Sequence, residues 1–180
     1  MQIELIIAGF GGQGVLFAGQ LLAYAAMDQD LEVTWIPSYG PEMRGGTANC
    51  TVIISDQEIG SPLVRSPQAL IAMNRPSLDK YEQTIQPNGL LVANASLIDR
   101  PVRRTDIRCA LIPANDLAEK IGDRRLTNMV LIGCLLANLP VVPQEAVIKA
   151  LQKHMSARRK DLIPPNIEAI RQGASFLVEV

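Results

Sequence analysis

The sequence has few of the residues that most often carry catalysis. It contains three cysteines, Cys50, Cys109 and Cys134, with no C-x-x-C pair, and a single histidine, His154. A four-cysteine iron–sulfur cluster needs more cysteines at closer spacing, and one histidine among lysines and arginines gives no Ser–His–Asp or Cys–His arrangement. We therefore expect no metal site and no catalytic residue on this chain, with buried, inert thiols and a solvated histidine.

Net charge and long apolar runs are also lacking. A net charge of −1, from 17 basic and 18 acidic residues, gives no electrostatic case for nucleic acid. The longest uncharged apolar stretch, Met129 to Leu139, is far shorter than the roughly 20 residues of a bilayer span. The N-terminal segment is a core strand with no basic lead, which argues against a cleaved signal. An odd number of dispersed cysteines suits a reducing compartment, so we expect a cytoplasmic protein without membrane contact.

The chain begins with an apolar strand, a glycine turn and a helix, within IELIIAGFGGQGVLFAGQLLAYAA, Ile3 to Ala26. Gly9, Gly11 and Gly14 have the G-x-G-x-x-G spacing, with Gly12 and Gln13 between them. Such glycines permit a tight turn and a close approach to a phosphate, and a helix from about Val15 would point its N–H groups at the anion. The alternative is that the glycines only permit close packing. On either view Gly14 is the packing-sensitive member, whereas Gly11 and Gly12 would face a phosphate or a partner backbone.

A dinucleotide site also needs an acidic residue at the end of the second strand. The candidate strand is Glu32 to Ile36, and Glu32 lies at its wrong end. This disfavours an ordinary NAD-dependent dehydrogenase. It leaves a different phosphate-bearing ligand, or a loop that serves a partner subunit.

A second unusual loop follows this strand, at the strand end where ligand loops occur. It combines side chains that can bind with glycines that set the backbone shape; its candidate site residues are Ser38, Tyr39, Gly40, Glu42, Arg44, Gly45 and Gly46. The alternative is a surface turn with an ordinary Glu–Arg pair. Two glycine-rich loops at neighbouring strand ends favour a site.

The remaining pattern alternates strands and helices, which predicts one domain, residues 1–180, with an α/β fold: a Rossmann-like, open, mostly parallel sheet with helices on both faces. Asn74, Asn94 and Asn128 each stand beside an apolar run. Asparagines there are often only turn formers. Because Gly9, Ser38, Asn74 and Asn94 would leave the same edge of a parallel sheet, we expect a shared crevice that Asn128 helps to close. Asn74 is also a candidate helix cap, as is Asn115 or Asp116 for a later helix.

The two loops together resemble a known family. GFGGQGV, Gly9 to Val15, and SYGPEMRGGTANCTV, Ser38 to Val52, look like the gamma subunit or gamma domain of the 2-oxoacid:ferredoxin (acceptor) oxidoreductases. The similarity spans nearly the whole chain. The Tyr-Gly-Pro-Glu-Met-Arg-Gly-Gly form resembles the 2-oxoglutarate and branched-chain types more than the pyruvate type.

The resemblance implies a division of labour among chains. Family members decarboxylate a 2-oxoacid on thiamine diphosphate with magnesium, pass electrons through iron–sulfur clusters to ferredoxin, and release an acyl-coenzyme A. Alpha and beta subunits, and in some complexes a ferredoxin-like delta subunit, would hold those cofactors. This chain would then shape the coenzyme A side of the active site and be inactive alone, where it could form a homodimer.

Two other functions stay open from the sequence: a self-sufficient nucleotide-binding enzyme, and an adaptor whose glycine loops are purely structural. The candidate binding residues are Gly9, Gly11, Gly12, Gln13, Gly14, Ser38, Tyr39, Gly40, Glu42, Arg44, Gly45, Gly46, Asn74, Asn94 and Asn128.

Overall fold

The computed structural model describes residues 1–38 and 47–178. Its strands are β1 (Gln2–Phe10), β2 (Glu32–Ser38), β3 (Thr47–Ser55), β4 (Ala69–Ala72), β5 (Leu90–Asn94) and β6 (Arg108–Ile112). Its helices are α1 (Val15–Met27), α2 (Arg75–Tyr81), α3 (Ala114–Ile121), α4 (Thr127–Asn138), α5 (Gln144–His154) and α6 (Ile163–Ala174). Short 3₁₀ turns occur at Glu82–Thr84, Arg124–Leu126 and Ala157–Leu162.

The six strands form one mixed sheet in the order β2-β3-β1-β4-β5-β6. Strands β1, β4, β5 and β6 are parallel to one another, whereas β3 is antiparallel to both β1 and β2. The α/β fold with a mostly parallel sheet is thus confirmed, but the reversed direction of β3 was not foreseen. Residues 39–46 are too few for a helical crossover, which takes a dozen or more residues. Since β3 reverses the direction, β2 again runs the same way as β1.

The first face of the sheet carries most of the core. Helix α1 packs on β2 and β3, α4 packs on β5, and α6 packs on α4. Gly133 on α4 and Gly173 on α6 make this crossing close: an added Cβ on Gly133 would lie 1.9 Å from the carbonyl oxygen of Ile170. The apolar segment Met129 to Leu136 is buried throughout, because α4 lies between the sheet and α6.

The second face has a smaller core over β4 and β5, with Ile6, Leu70 and Leu91 among its buried residues. Helix α2, the 3₁₀ turn after it and residues 95–107 cover it. The buried carboxylate of Glu82 anchors that segment, since it accepts hydrogen bonds from the Arg100 guanidinium at 2.7 Å and the backbone N–H of Arg104 at 3.0 Å. Helices therefore pack on both faces of the sheet, as predicted, although on the second face they cover only the half formed by β4 and β5.

The helix caps were predicted with mixed success. Asn74 caps α2, because its side-chain oxygen accepts from the backbone N–H of Ser77 at 2.9 Å. The predicted cap of α3 by Asn115 or Asp116 is wrong: Pro113 holds that position, and α3 has no side-chain cap among the described residues. Nowhere in residues 1–38 and 47–178 is a helix both long and apolar enough to cross a membrane.

Candidate functional site

The candidate site lies at the edge of the sheet where β1, β2, β4 and β5 end. Gly9 pairs with Ala48 and Ser38 pairs with Asn49, while Asn94 pairs with Ile112. Asn74 follows β4, whose last residue, Ala72, pairs with Ala8. The expectation that these residues share one edge is confirmed. Glu32 lies at the opposite edge, beside Ser55, so β2 places no acidic side chain at this edge.

The glycine turn has the tight geometry that its spacing predicts. Gly12 has φ +93° and Gly14 φ +73°, backbone conformations that favour glycine. Helix α1 begins directly after it, and among the described residues no side chain caps that end. The first N–H groups of a helix have no intrahelical partner, so this end of α1 can bind an anion.

Gln13 turns back into the protein instead of projecting from the turn. Its side-chain oxygen accepts hydrogen bonds from the backbone N–H of Phe10 at 2.6 Å and from the amide of Asn74 at 3.1 Å. An added Cβ on Gly9 would lie 2.7 Å from that oxygen. Gly9 and Gln13 therefore have structural roles in joining β1 to α2, and their contact with a ligand stays a prediction.

The three predicted asparagines are buried and hold elements together. The Asn94 amide lies 3.3 Å from the carbonyl of Met73, and the Asn128 amide donates to the carbonyl of Gly14 at 3.2 Å. Asn74, Asn94 and Asn128 are 1%, 0% and 4% exposed. They shape the edge, and little of their surface is left for a ligand.

A cleft of about 260 Å³ opens beside the glycine turn. Its lining residues are Gly12, Gln13, Leu97, Asn115, Arg124, Arg125 and Thr127. Sequence reasoning did not assign to the site Asn115 of α3, Thr127 of α4 or the two arginines of the 3₁₀ turn between these helices. The adjacent arginines were the available signal, but only the fold shows that they face Gly12 across 112 positions of sequence.

Two arginines line the cleft, and each has a carboxylate near it; Arg124 lies 3.8 Å from Glu119. The guanidinium of Arg124 lies 2.8 Å from the side-chain amide of Asn115; because a guanidinium only donates, the amide oxygen must face it. Arg125 forms an ion pair with Asp123 at 2.6 Å, which holds the pKa of that carboxyl below its ordinary value. The Arg124 and Arg125 side chains are 60% and 79% exposed, so both can reach an anionic ligand.

A larger cleft of about 550 Å³ lies on the other side of the turn and shares Gly12 and Arg125. His154 borders it, although the sequence predicted only a solvated position. The His154 ring stacks on Tyr24 with centroids 4.1 Å apart, and its Nε2 lies 3.2 Å from Asp28. These contacts hold the ring against α1.

The cysteines are poor nucleophiles. Burial raises the pKa of Cys50 to about 12 and those of Cys109 and Cys134 to about 11. Cys50 and Cys134 are buried and Cys109 is partly buried, which agrees with the prediction. In the two described stretches of chain, no cluster of His, Cys, Asp and Glu could hold a metal ion.

Part of the predicted site lies outside the described residues. This applies to Tyr39, Gly40, Glu42, Arg44, Gly45 and Gly46. Ser38, the last described residue before them, is exposed at the end of β2. Their predicted binding roles stay predictions.

Comparisons with known proteins agree with the sequence resemblance. A family model described as pyruvate ferredoxin/flavodoxin oxidoreductase matches residues 4–176. The chain is 35% identical over 99% of its length to ketoisovalerate oxidoreductase subunit VorA of Methanothermobacter thermautotrophicus, but it spans only 37% of that protein. It is also 35% identical to the 2-oxoglutarate synthase subunit KorC of the same organism, over 98% of this chain and 95% of that subunit.

A solved structure shows the same fold. The gamma subunit of a keto/oxoacid ferredoxin oxidoreductase from Geobacter sulfurreducens superposes with a TM-score of 0.85 at 27% identity, over 98% of this chain and 96% of that one. The chain therefore belongs to the pyruvate ferredoxin/flavodoxin oxidoreductase family, in which it corresponds to the gamma subunit of the 2-oxoacid:ferredoxin oxidoreductases.

Proposed function

We propose that this chain serves a complex that oxidatively decarboxylates a 2-oxoacid, forms an acyl-coenzyme A and passes the electrons to ferredoxin. The cleft beside the glycine turn is the observation that carries the proposal. It offers guanidinium groups, amides and helix N-termini, which bind anions. Such a site holds and orients a ligand while other chains supply the chemistry. Alpha and beta subunits, and a ferredoxin-like delta subunit where present, would bind thiamine diphosphate, magnesium and the iron–sulfur clusters.

The described residues fit the phosphates of coenzyme A. Arg124 and Arg125 can bind phosphate oxygens in bidentate fashion, and the free N–H groups at the start of α1 lie on the same side as Gly12. Coenzyme A supplies the thiol that accepts the acyl group. The role of this chain would be to hold the anionic end of that ligand, with Arg44 of the loop at 39–46 as a further candidate.

We propose 2-oxoglutarate as the oxoacid, on the form of the Ser38–Val52 motif. Branched-chain oxoacids and pyruvate are the alternatives. Relatives named for ketoisovalerate and for 2-oxoglutarate are equally identical to this chain, so substrate turnover must decide. We place the complex in the cytoplasm, where its thiols would stay reduced.

Reconstitution with the purified thiamine-binding subunits tests the function. The assembled complex should reduce ferredoxin with 2-oxoglutarate and coenzyme A, whereas the isolated chain should neither do so nor bind thiamine diphosphate tightly. Arg124→Ala, Arg125→Ala and Arg44→Ala should each raise the apparent KM for coenzyme A by about tenfold, as loss of a charged hydrogen bond does. Arg171→Ala, on the exposed face of α6, is the matched control. Full activity of the other subunits without this chain, or turnover by this chain alone, would contradict the proposal.

A further inference from the structure

Within residues 1–38 and 47–178, no helix covers the half of the second face that β2 and β3 form. Helix α2 and the segment after β5 cover β4 and β5, but the helix that packs on β2 and β3 is α1, on the first face. Alternation along β2 and β3 turns nine residues to the second face: Glu32, Thr34, Ile36, Ser38, Thr47, Asn49, Thr51, Ile53 and Ser55. Ile53 and Ser55 are buried, Glu32 lies beside Ser55 at the edge far from the candidate site, and Ser38 is the last described residue of β2. The remaining five are uncharged: Thr34, Ile36, Thr47, Asn49 and Thr51. We call this set the open face. All five are at least partly exposed, and Ile36 is 41% exposed.

The open face has the chemistry of a protein interface. Its side chains are hydroxyl, amide and aliphatic, and none of them is charged. Other exposed surfaces of the molecule carry charge, such as the run from Arg158 to Asp161. Charged residues are depleted in the core of protein interfaces because their desolvation is costly. A sheet surface without charged side chains can be buried at a lower cost than a charged one when its hydroxyl and amide groups find hydrogen-bond partners.

The open face also adjoins the candidate site. Ser38 and Thr47 flank the segment at 39–46, and Thr47 pairs with Phe10, the last residue of β1 before the glycine turn. A partner that lies on this face therefore also lies close to the end of β1, where the glycine turn begins. The first face offers no equivalent surface, because α1, α4 and α6 already cover it.

The length of a relative indicates which kind of chain would cover the open face. The chain matches 37% of the ketoisovalerate oxidoreductase subunit VorA. In that protein the corresponding domain is therefore part of a longer polypeptide, and nearly two thirds of that polypeptide lies outside the match. We propose that the open face docks the counterpart of that remaining polypeptide, a catalytic chain with an uncharged contact surface. This inference rests on the proposed function and adds to it the surface through which the chain joins the complex.

The chain offers a matched pair of substitutions to test this surface. Ile36→Lys and Thr51→Lys place a charge in the open face. Leu111→Lys places the same charge on β6, an exposed apolar position on the same face at the opposite edge of the sheet, 51% exposed. Circular dichroism and thermal melting of each isolated variant establish that it folds. Dissociation constants with the purified thiamine-binding subunits, and hydrogen exchange of residues 47–55 with and without them, measure docking.

We expect Ile36→Lys and Thr51→Lys to weaken binding by about tenfold or more, and Leu111→Lys to bind as the unaltered chain does. Residues 47–55 should gain protection in the complex. If the unaltered chain does not bind the subunits, the proposed function itself fails. If it binds, and both open-face variants bind equally well, only this surface is wrong. Loss of self-association in Ile36→Lys with full binding to the catalytic subunits would show instead an interface between copies of this chain, which also overturns the proposal.

Discussion

Asn128 donates a side-chain hydrogen bond to the carbonyl of Gly14 at 3.2 Å and so joins the beginning of α4 to the beginning of α1. The side-chain oxygen of Asn128 accepts from the backbone N–H of Met129. One amide thus fixes two helix N-termini side by side. Because the N-terminal end of a helix is its positive end, two positive helix ends lie at the larger cleft, which Gly14 and Asn128 both line.

Gly14→Ala should lower the free energy of unfolding more than Gly12→Ala. Both glycines have positive φ, so each alanine costs roughly 1 kcal/mol in backbone strain. At Gly14 the added Cβ would also lie 2.4 Å from the Asn128 amide nitrogen, whereas at Gly12 it meets nothing within 4 Å. Urea unfolding of both variants measures the difference.

A double variant separates strain from collision. In the Gly14→Ala/Asn128→Ala protein the added Cβ no longer collides with the Asn128 amide. The double variant should therefore lose less free energy of unfolding than the two single variants lose together. If the double variant loses as much free energy of unfolding as the two single variants together, the Cβ added at Gly14 does not collide with Asn128. Because φ is positive at Gly12, Gly12→Ala should lower the free energy of unfolding even if Gly12 also faces a phosphate or a partner.

Gln13→Ala should destabilise the isolated chain by about 1–3 kcal/mol. The substitution leaves the backbone N–H of Phe10 and the amide of Asn74 without their acceptor, and unpaired donors away from water are costly. Gln20→Ala on α1 is the control, because the Gln20 amide contacts only the Tyr24 hydroxyl, at 3.1 Å. Equal midpoints in urea for the two variants would show that Gln13 is not a structural link.

The sequence predicts the parts of the site that depend on local chemistry. The glycine spacing identifies the turn, and apolar runs that end in Asn74 and Asn94 identify the sheet edge, because these signals lie within a few residues. The contribution of Asn115, Arg124 and Arg125 could not be predicted, since it depends on where α3 and α4 pack. The direction of β3 could have been inferred from the short connection at 39–46.

Glu82→Gln should destabilise the chain near pH 7 by roughly 3 kcal/mol, as breaking a buried ion pair does. Burial acts to raise the pKa of Glu82, but hydrogen bonds from Arg100 and from the backbone N–H groups of Arg103 and Arg104 outweigh it and hold the pKa below the ordinary 4.5. The stabilisation is therefore present above pH 4.5 and is lost as the pH falls through the lower folded-state pKa.

The difference in free energy of unfolding between Glu82→Gln and the unaltered chain should accordingly shrink below pH 4.5 and be constant from pH 6 to 8. Asp79→Asn is the matched control, because Asp79 accepts from the same Arg100 guanidinium but is 42% exposed. At pH 7, Asp79→Asn should lose less free energy of unfolding than Glu82→Gln. Denaturant titrations across this pH range supply both comparisons, and a difference that grows on acidification would contradict the assignment.

Gly133→Ala should be among the most destabilising single-methyl changes in the chain, at about 3 kcal/mol or more. The methyl group would overlap the backbone of Ile170 on α6, which cannot rotate away as a side chain could. Gly60→Ala is the control: an added Cβ there meets nothing within 4 Å and should change the melting temperature little. Similar melting temperatures for the two variants would mean that α6 moves aside freely.

The crossing at Gly133 has a mechanical consequence. Asn128 lies at the N-terminal end of α4, and the middle of α4 is held against α6. Helix α4 would therefore tilt as a rigid unit about its contact with α6. A displacement of α6 would be transmitted along α4 to the carbonyl of Gly14. Because Gly14 and Asn128 both line the larger cleft, the position of α6 helps to set the width of that cleft, to which α6 itself contributes Asn166.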